Sequence, residues 1–264
     1  MMNDVITERY LNDAYVVLKG FFPISIMSAY KSFIQQALNT DVEDVLKRWG
    51  MSVFSKDSTQ KVRELLANSS DIPVIDQQVM LGQFPLAVRL SDAIKPLAEF
   101  IGKSTVIQDI LKSQHLFMHM PPMIRYVPPG YAPAAVPPHQ DISYNRHMSH
   151  FITVWTPMVP ITDTCGGLII YEGSQHLPDT VTAEKRADSW LPAIDVTGFA
   201  RKQLTALDVG DVVILSSQIA HESAANISDT IRLSMDLRIF GQHDSSSKHC
   251  MDLHRMEMLT THNV

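Results

Sequence analysis

Cysteine is almost missing from this chain: Cys165 and Cys250 are the only two in 264 residues. They are far apart and outside any Cys-x-x-Cys, which argues against a disulfide scaffold or a cysteine-built zinc site and fits a reducing compartment. Positive charge is also thin. Lys and Arg number 22 against 28 Asp and Glu, the net charge is −6, and no basic run stands out. A general nucleic-acid binder is therefore disfavoured. No stretch of 18 apolar residues occurs, and Met1-Met2-Asn3-Asp4-Val5 has neither a basic n-region nor an apolar h-region. The expectation is a cytoplasmic protein with no membrane partner. No repeat, low-complexity tract or linker divides the chain. Apolar residues, by contrast, make up 45%, ample for a sizeable core. One domain over 1–264 is expected.

The texture changes once. Up to about residue 102, apolar residues fall at helical spacing over 4–13, 25–38, 41–49, 57–67 and 91–101. Ala14-Tyr15-Val16-Val17-Leu18, closed by Gly20, is the single strand among them. From 103 to about 240 the pattern is short strand-like runs with Gly and Pro between them. These begin with Val106-Ile107, 116–118 and 123–127, and continue with 151–156, 168–171, 202–207, 211–215, 219–224 and 230–239. Helices followed by short strands predict an α+β chain with a sandwich or barrel. Residues 178–200 read as an irregular insert of the kind that forms lids. The polar, His-rich tail from 241 to 264 is expected to be partly ordered at best.

The chemistry centres on Pro137-Pro138-His139-Gln140-Asp141. On a strand, His139 and Asp141 would leave the same face about 7 Å apart and could share one ion. An imidazole with a carboxylate suits a borderline divalent metal, and a third ligand is required. By itself His-x-Asp is common. His221 is the best third ligand. It follows a turn and a buried strand, Val209-Gly210-Asp211-Val212-Val213-Ile214-Leu215, and precedes a strand carrying Arg232. Two imidazoles and one carboxylate on one face point to non-haem Fe(II) and oxygen activation.

Taken together these residues resemble the phytanoyl-CoA dioxygenase family of Fe(II)/2-oxoglutarate-dependent oxygenases. The resemblance runs from Asp13-Ala14-Tyr15-Val16-Val17-Leu18-Lys19-Gly20-Phe21-Phe22 to about Phe240. It is carried by His139-Gln140-Asp141, by Thr153-Val154-Trp155-Thr156-Pro157 through Cys165-Gly166-Gly167-Leu168 to Glu172-Gly173-Ser174-Gln175-His176, and by Gly210-Asp211, His221, Ser223 and Arg232. It implies a double-stranded β-helix, a cupin-like jelly roll, with N-terminal helices packed on one sheet. It also implies roles. His139, Asp141 and His221 would hold iron as the catalytic centre. Arg232 would pair with the distal carboxylate of 2-oxoglutarate, with Ser223, Trp155 and Met123 beside it. With O2, the outcome would be succinate, CO2 and hydroxylation of a C–H bond. Asp141 separates the chain from halogenases, which lack that carboxylate, and favours hydroxylation, or a desaturation or ring-forming variant.

Gln140, Tyr144 and Asn145 lie near the expected mouth and are candidates to touch a small-molecule substrate; Arg125 and Arg238 either bind an anionic group of that substrate or pair with acidic neighbours. Other readings stand beside this one. Trp155 and Met123 are also ordinary core residues. The remaining histidines, among them His119, share no face with a carboxylate in a repeated pattern; His147 and His150, just after the iron motif, are partial exceptions that could touch substrate. A metal-keeping sensor without chemistry and a demethylase are the rival functions. The acidic balance disfavours a nucleic-acid substrate.

Overall fold

Residues 2–48, 57–67, 81–178 and 194–260 are described in the computed structural model. The N-terminal part is built from α1 (Met2–Asp13), β1 (Tyr15–Leu18), α2 (Ile24–Arg48), α3 (Ser58–Ala67), α4 (Leu86–Arg89), α5 (Lys95–Gly102) and α6 (Thr105–Leu111). The strands that follow are β2 (Leu116–His119), β3 (Met123–Val127), β4 (Phe151–Pro157), β5 (Leu168–Glu172), β6 (Ala200–Gln203) and β7 (Val212–Ser216). Then come β8 (His221–Ser223), β9 (Arg232–Gly241), β10 (Cys250–Asp252) and β11 (Glu257–Leu259). Among the described residues no helix is long and apolar enough to cross a membrane.

The strands form two antiparallel sheets. The large one has the order β1-β7-β4-β9-β2-β10-β11, with β3 also paired to β9. The small one has the order β6-β5-β8. This is the jelly-roll arrangement with helices outside. Alternation along β9 shows why the layers separate. Leu233, Met235, Leu237 and Ile239 are buried in the same cluster as Met27, Ile34 and Leu38 of α2. Arg232, Ser234, Asp236 and Arg238 point the other way, toward the small sheet. A second cluster joins Tyr15, Trp155, Val213 and Leu215 of the large sheet to Leu168 and Ile170 of the small one. It fills part of the interior with apolar side chains and leaves the charged positions of β9 beside it. Gly210 and Asp211 tie β1 to β7: Asp211 accepts hydrogen bonds from the Gly20 amide at 2.8 Å and from Lys19 Nζ at 2.7 Å.

Several expectations are corrected. The two helices 25–38 and 41–49 are one, α2. Met27, Tyr30, Ile34, Leu38, Val42 and Val45 keep one buried face straight through the polar Asn39-Thr40-Asp41, of which only Thr40 is exposed. Val106-Ile107 is helical, not a strand. Ser104 caps α6 by accepting from the Ile107 amide, and Ile107, Ile110 and Leu111 are its buried stripe. The tail is not loose over its described residues, 241–260. Its β10 pairs with β2, Met118 opposite Met251, and Cys250, Met251 and Leu253 are buried. A short strand completed by a distant partner carries too little local pattern to stand out among His and Ser. Much of the 178–200 insert, 179–193, lies outside the described residues.

Met251 is 3% exposed within the main core. Met251→Ala should therefore destabilise the protein by about 2–4 kcal/mol, read as a lower denaturation midpoint. An unchanged midpoint would mean that the tail adds nothing to the fold.

Candidate metal centre

The centre begins as a backbone contact. The His139 amide donates to the His221 carbonyl, and the His221 amide donates to the His139 carbonyl, both at 2.9 Å. Residues paired this way across an antiparallel bridge project to the same side. The two ring centroids are 4.3 Å apart. β8 is itself held in register by β5, with Ile170 opposite His221. Each imidazole is then turned by a carbonyl two residues earlier. His139 Nδ1 lies 2.8 Å from the Pro137 oxygen, and His221 Nδ1 lies 3.1 Å from the Ile219 oxygen. An Nδ1–H bound to a carbonyl leaves the Nε2 lone pair as the ligating atom.

Asp141 does not continue a strand, as the same-face argument had assumed. It opens a 3-10 turn, Asp141–Tyr144. The turn still brings its carboxylate to the histidines, with Oδ2 4.0 Å from His221 Nε2. One donor atom from each of His139, Asp141 and His221 lies within 4.8 Å of the others, and all three residues are buried.

Two neighbours hold the carboxylate. Thr153 donates its hydroxyl to Oδ2 at 2.5 Å, and Arg238 donates Nη2 to Oδ1 at 2.8 Å. Thr153 and Arg238 sit opposite each other on β4 and β9, so one register fixes both. Burial alone would raise the Asp141 pKa. The charges of Arg238, His221 and His139 outweigh it and hold the carboxyl well below the usual range. His139 goes down to about 3, chiefly through burial and then through His221. At neutral pH the pair offers a neutral imidazole and an anionic oxygen, the protonation states a metal requires. The donor set therefore fits a divalent ion such as iron.

Arg232 lies deeper in the barrel, 1% exposed. Nη1 donates to the Gly167 carbonyl at 3.2 Å and Nη2 to Ser223 Oγ at 3.3 Å. Its Nε has no partner, and no carboxylate among the described residues forms an ion pair with it. Burial pulls its pKa down to about 10. Gly167 is needed there: a Cβ would stand 2.5 Å from the Leu204 carbonyl oxygen. A buried guanidinium without a counter-ion is expensive, and an anionic ligand is the natural remedy. Asp236, on the same face, opposes Trp155 and Met123 across the sheet. Burial, and secondarily the Asp141 charge, raise its pKa.

The remaining expected residues divide. Trp155 is 3% exposed and packs in the interior apolar cluster. Tyr144 sets its ring 5.4 Å from that of His139, and its hydroxyl has no partner. Gln140, Asn145 and Arg125 are tied to backbone carbonyls. Gln140 Nε2 donates to Gln218 at 2.6 Å, Asn145 Nδ2 to Asp141 at 3.0 Å, and an Arg125 amine to Ala134 at 2.8 Å. Sequence reasoning did not single out Thr153. Arg238 it left between an anion and an acidic neighbour. For Arg238 the signal available was a polar residue at every second position of an otherwise apolar strand; Thr153 carried no such signal.

The Phytanoyl-CoA dioxygenase (PhyH) profile matches residues 10–234. A 1-deoxypentalenic acid 11-beta-hydroxylase of Streptomyces exfoliatus is 29% identical over 138 residues, 47% of this chain and 49% of that protein. The chain thus spans about half the length of that relative. Phytanoyl-CoA dioxygenase domain-containing protein 1 of Danio rerio is 22% identical over 259 residues, 88% of each chain. Among solved structures, the epimerase SnoN in complex with Fe3+, alpha ketoglutarate and nogalamycin RO superposes with a TM-score of 0.61 at 19% identity, covering 93% of this chain and 86% of that one. The carbocyclase SnoK from nogalamycin biosynthesis gives 0.54 at 15%, covering 92% and 85%. At these identities the structural likeness speaks to the fold, and it agrees with the jelly roll.

Thr153→Val removes one hydroxyl at nearly constant volume. The protein should stay folded while its affinity for a divalent metal falls by about 10- to 100-fold, measured by anaerobic titration with Fe(II). Unchanged affinity would show that the Thr153–Asp141 bond does not hold the ligand.

Proposed function

The chain belongs to the phytanoyl-CoA dioxygenase family, and from that premise we propose that it is an Fe(II)- and 2-oxoglutarate-dependent dioxygenase. Its reaction is hydroxylation of an unactivated C–H bond in a small-molecule metabolite or natural-product intermediate. One observation carries the reading: a His-Asp-His donor set within 4.8 Å shares a barrel with a buried arginine that has no carboxylate partner. A metal-keeping sensor would need the first feature and not the second. The hydroxylase among the relatives favours hydroxylation over the other outcomes of this chemistry.

Bound by His139, Asp141 and His221, iron with 2-oxoglutarate supplies the oxidation: O2 is consumed, succinate and CO2 leave, and one oxygen atom enters the substrate. The chain's own residues do the rest. His139 and His221 present neutral Nε2 atoms because carbonyls occupy their Nδ1–H groups. Thr153 and Arg238 keep Asp141 anionic and aimed. Arg232, with Ser223 beside it, would receive the distal carboxylate of 2-oxoglutarate. Trp155 and Met123 wall that pocket. Tyr144 keeps a hydroxyl free beside His139 and is the substrate contact we retain. Gln140, Asn145 and Arg125 shape the wall through the backbone they hold. We take 1–264 as one domain and, from the two free cysteines, place it in the cytoplasm.

Incubated with Fe(II), 2-oxoglutarate and air, the protein should release succinate above a metal-free control. His139→Ala and Asp141→Ala should abolish that release. Arg232→Leu should raise the KM for 2-oxoglutarate by roughly 10- to 100-fold, the worth of hydrogen bonds to a charged group. Metal-independent succinate formation, or full turnover in His139→Ala, would refute the assignment.

A further inference from the structure

One corner of the interior holds three buried side-chain nitrogens without partners. β2 and β9 pair Phe117 with Phe240 and Met118 with Ile239, so the next residue, His119, comes to lie across from Arg238. Phe117 and Phe240 stack at 5.4 Å on this same inward face. His119 is 6% exposed, and its Nε2 is buried without a partner. The ring of His147 lies 5.6 Å from it, and His147 Nε2 also lacks a partner. Arg238 commits Nη2 to Asp141 and leaves Nε buried and unpartnered. Arg89 is pinned alongside, its Nε donating to the Pro122 carbonyl at 2.7 Å.

The field in this corner is positive. The charged and titratable groups that face His119 are Arg238, Lys248, His147 and Arg89, and none of them is acidic. Burial first, and then these groups, bring His119 down to about 3. His147 faces Lys248, Asp244 and Arg238, and Asp244 is the single acid. Asp244 is itself engaged by the amides of Ser149 and His150. Buried nitrogens are rarely left unpaired in a folded protein. Three of them converging under positive potential form a receptor for an anion.

We propose that His119, His147 and the Nε edge of Arg238 bind a carboxylate of the substrate, with Arg89 supplying long-range charge, so that the substrate is an organic acid. Two carboxylate oxygens match two imidazole N–H groups and the arginine edge. Because Arg238 also holds Asp141, an acid seated here lays its carbon skeleton over the metal ligands. Calling the ligand a substrate rests on the oxygenase reading; the anion subsite does not.

Cyclohexanecarboxylate and its methyl ester, alike in shape and different in charge, are titrated calorimetrically into the full chain. One series uses metal-free protein and the other uses protein loaded with Fe(II) and 2-oxoglutarate under argon. The acid should bind about 10-fold tighter than the ester or better, as expected of charge-assisted hydrogen bonds. The preference should vanish in His119→Phe and in His147→Phe and persist in Arg232→Leu. Should the Phe variants not fold, the side-chain 15N resonances of His119 and His147 in the unaltered protein give the answer: they should move with the acid and not with the ester. Equal affinity for the two probes, no binding of either, or a preference lost only in Arg232→Leu overturns the proposal; the last would place the acid in the 2-oxoglutarate pocket. Failure of the oxygenase reading looks different: no Fe(II) uptake and no succinate, with the acid preference intact in metal-free protein.

Discussion

Two reciprocal hydrogen bonds, 2.9 Å each, between the backbones of His139 and His221 are the constraint from which the site follows. They join segments remote in sequence and leave no freedom in which way either ring points. A slip of one residue in β8 would turn His221 outward and bring Glu222 or Ala220 inward. Such a slip is opposed on both sides. Ile170 faces His221 through β5, and Ser223, two residues on, is occupied by Arg232. The metal ligands and the arginine are thus set by one register, and a change that loosens β8 would disturb both.

β9 shows how the interior accommodates so much charge. Its inward residues, Arg232, Ser234, Asp236 and Arg238, would be unacceptable in an ordinary sheet core. Asp141 meets Arg238 directly. Asp236 sits between the two arginines with its pKa raised by burial. Arg232 hydrogen-bonds Gly167 and Ser223 but forms no ion pair with a carboxylate among the described residues. The imbalance is functional in sense: a protein that only had to fold would not keep a buried guanidinium with an unpartnered Nε.

The metal ligands were legible because each stands in a short pattern whose order along the chain is informative: His-x-Asp after a Pro pair, and His221 after Gly210-Asp211 and a buried strand. Arg232 was legible because a charge between Ile231 and Leu233 needs a buried reason. Thr153 and His119 were not legible in the same way. Thr153 reads as an ordinary β-former, and His119 as one histidine among eleven. Their meaning arises only from what lies opposite in β9, which the sequence does not state. The same holds for β10, a strand by virtue of β2, and for α2, where Asn39-Thr40-Asp41 interrupted the apolar spacing and hid a continuous buried face.

The outward face of β9 explains how the inward one is tolerated. Leu233, Met235, Leu237 and Ile239 are at most 3% exposed beneath the helices, and full burial of each contributes about 1.5–3 kcal/mol. A buried polar group left unsatisfied costs about 1–3 kcal/mol. Residue for residue the two faces are comparable, so the helical layer can offset a charged interior without extra elements. This gives the N-terminal helices a role that their distance from the metal ligands conceals. Arg89 apart, they carry no chemistry, yet they supply the apolar contact that allows one strand to hold arginine, aspartate and arginine against a metal site.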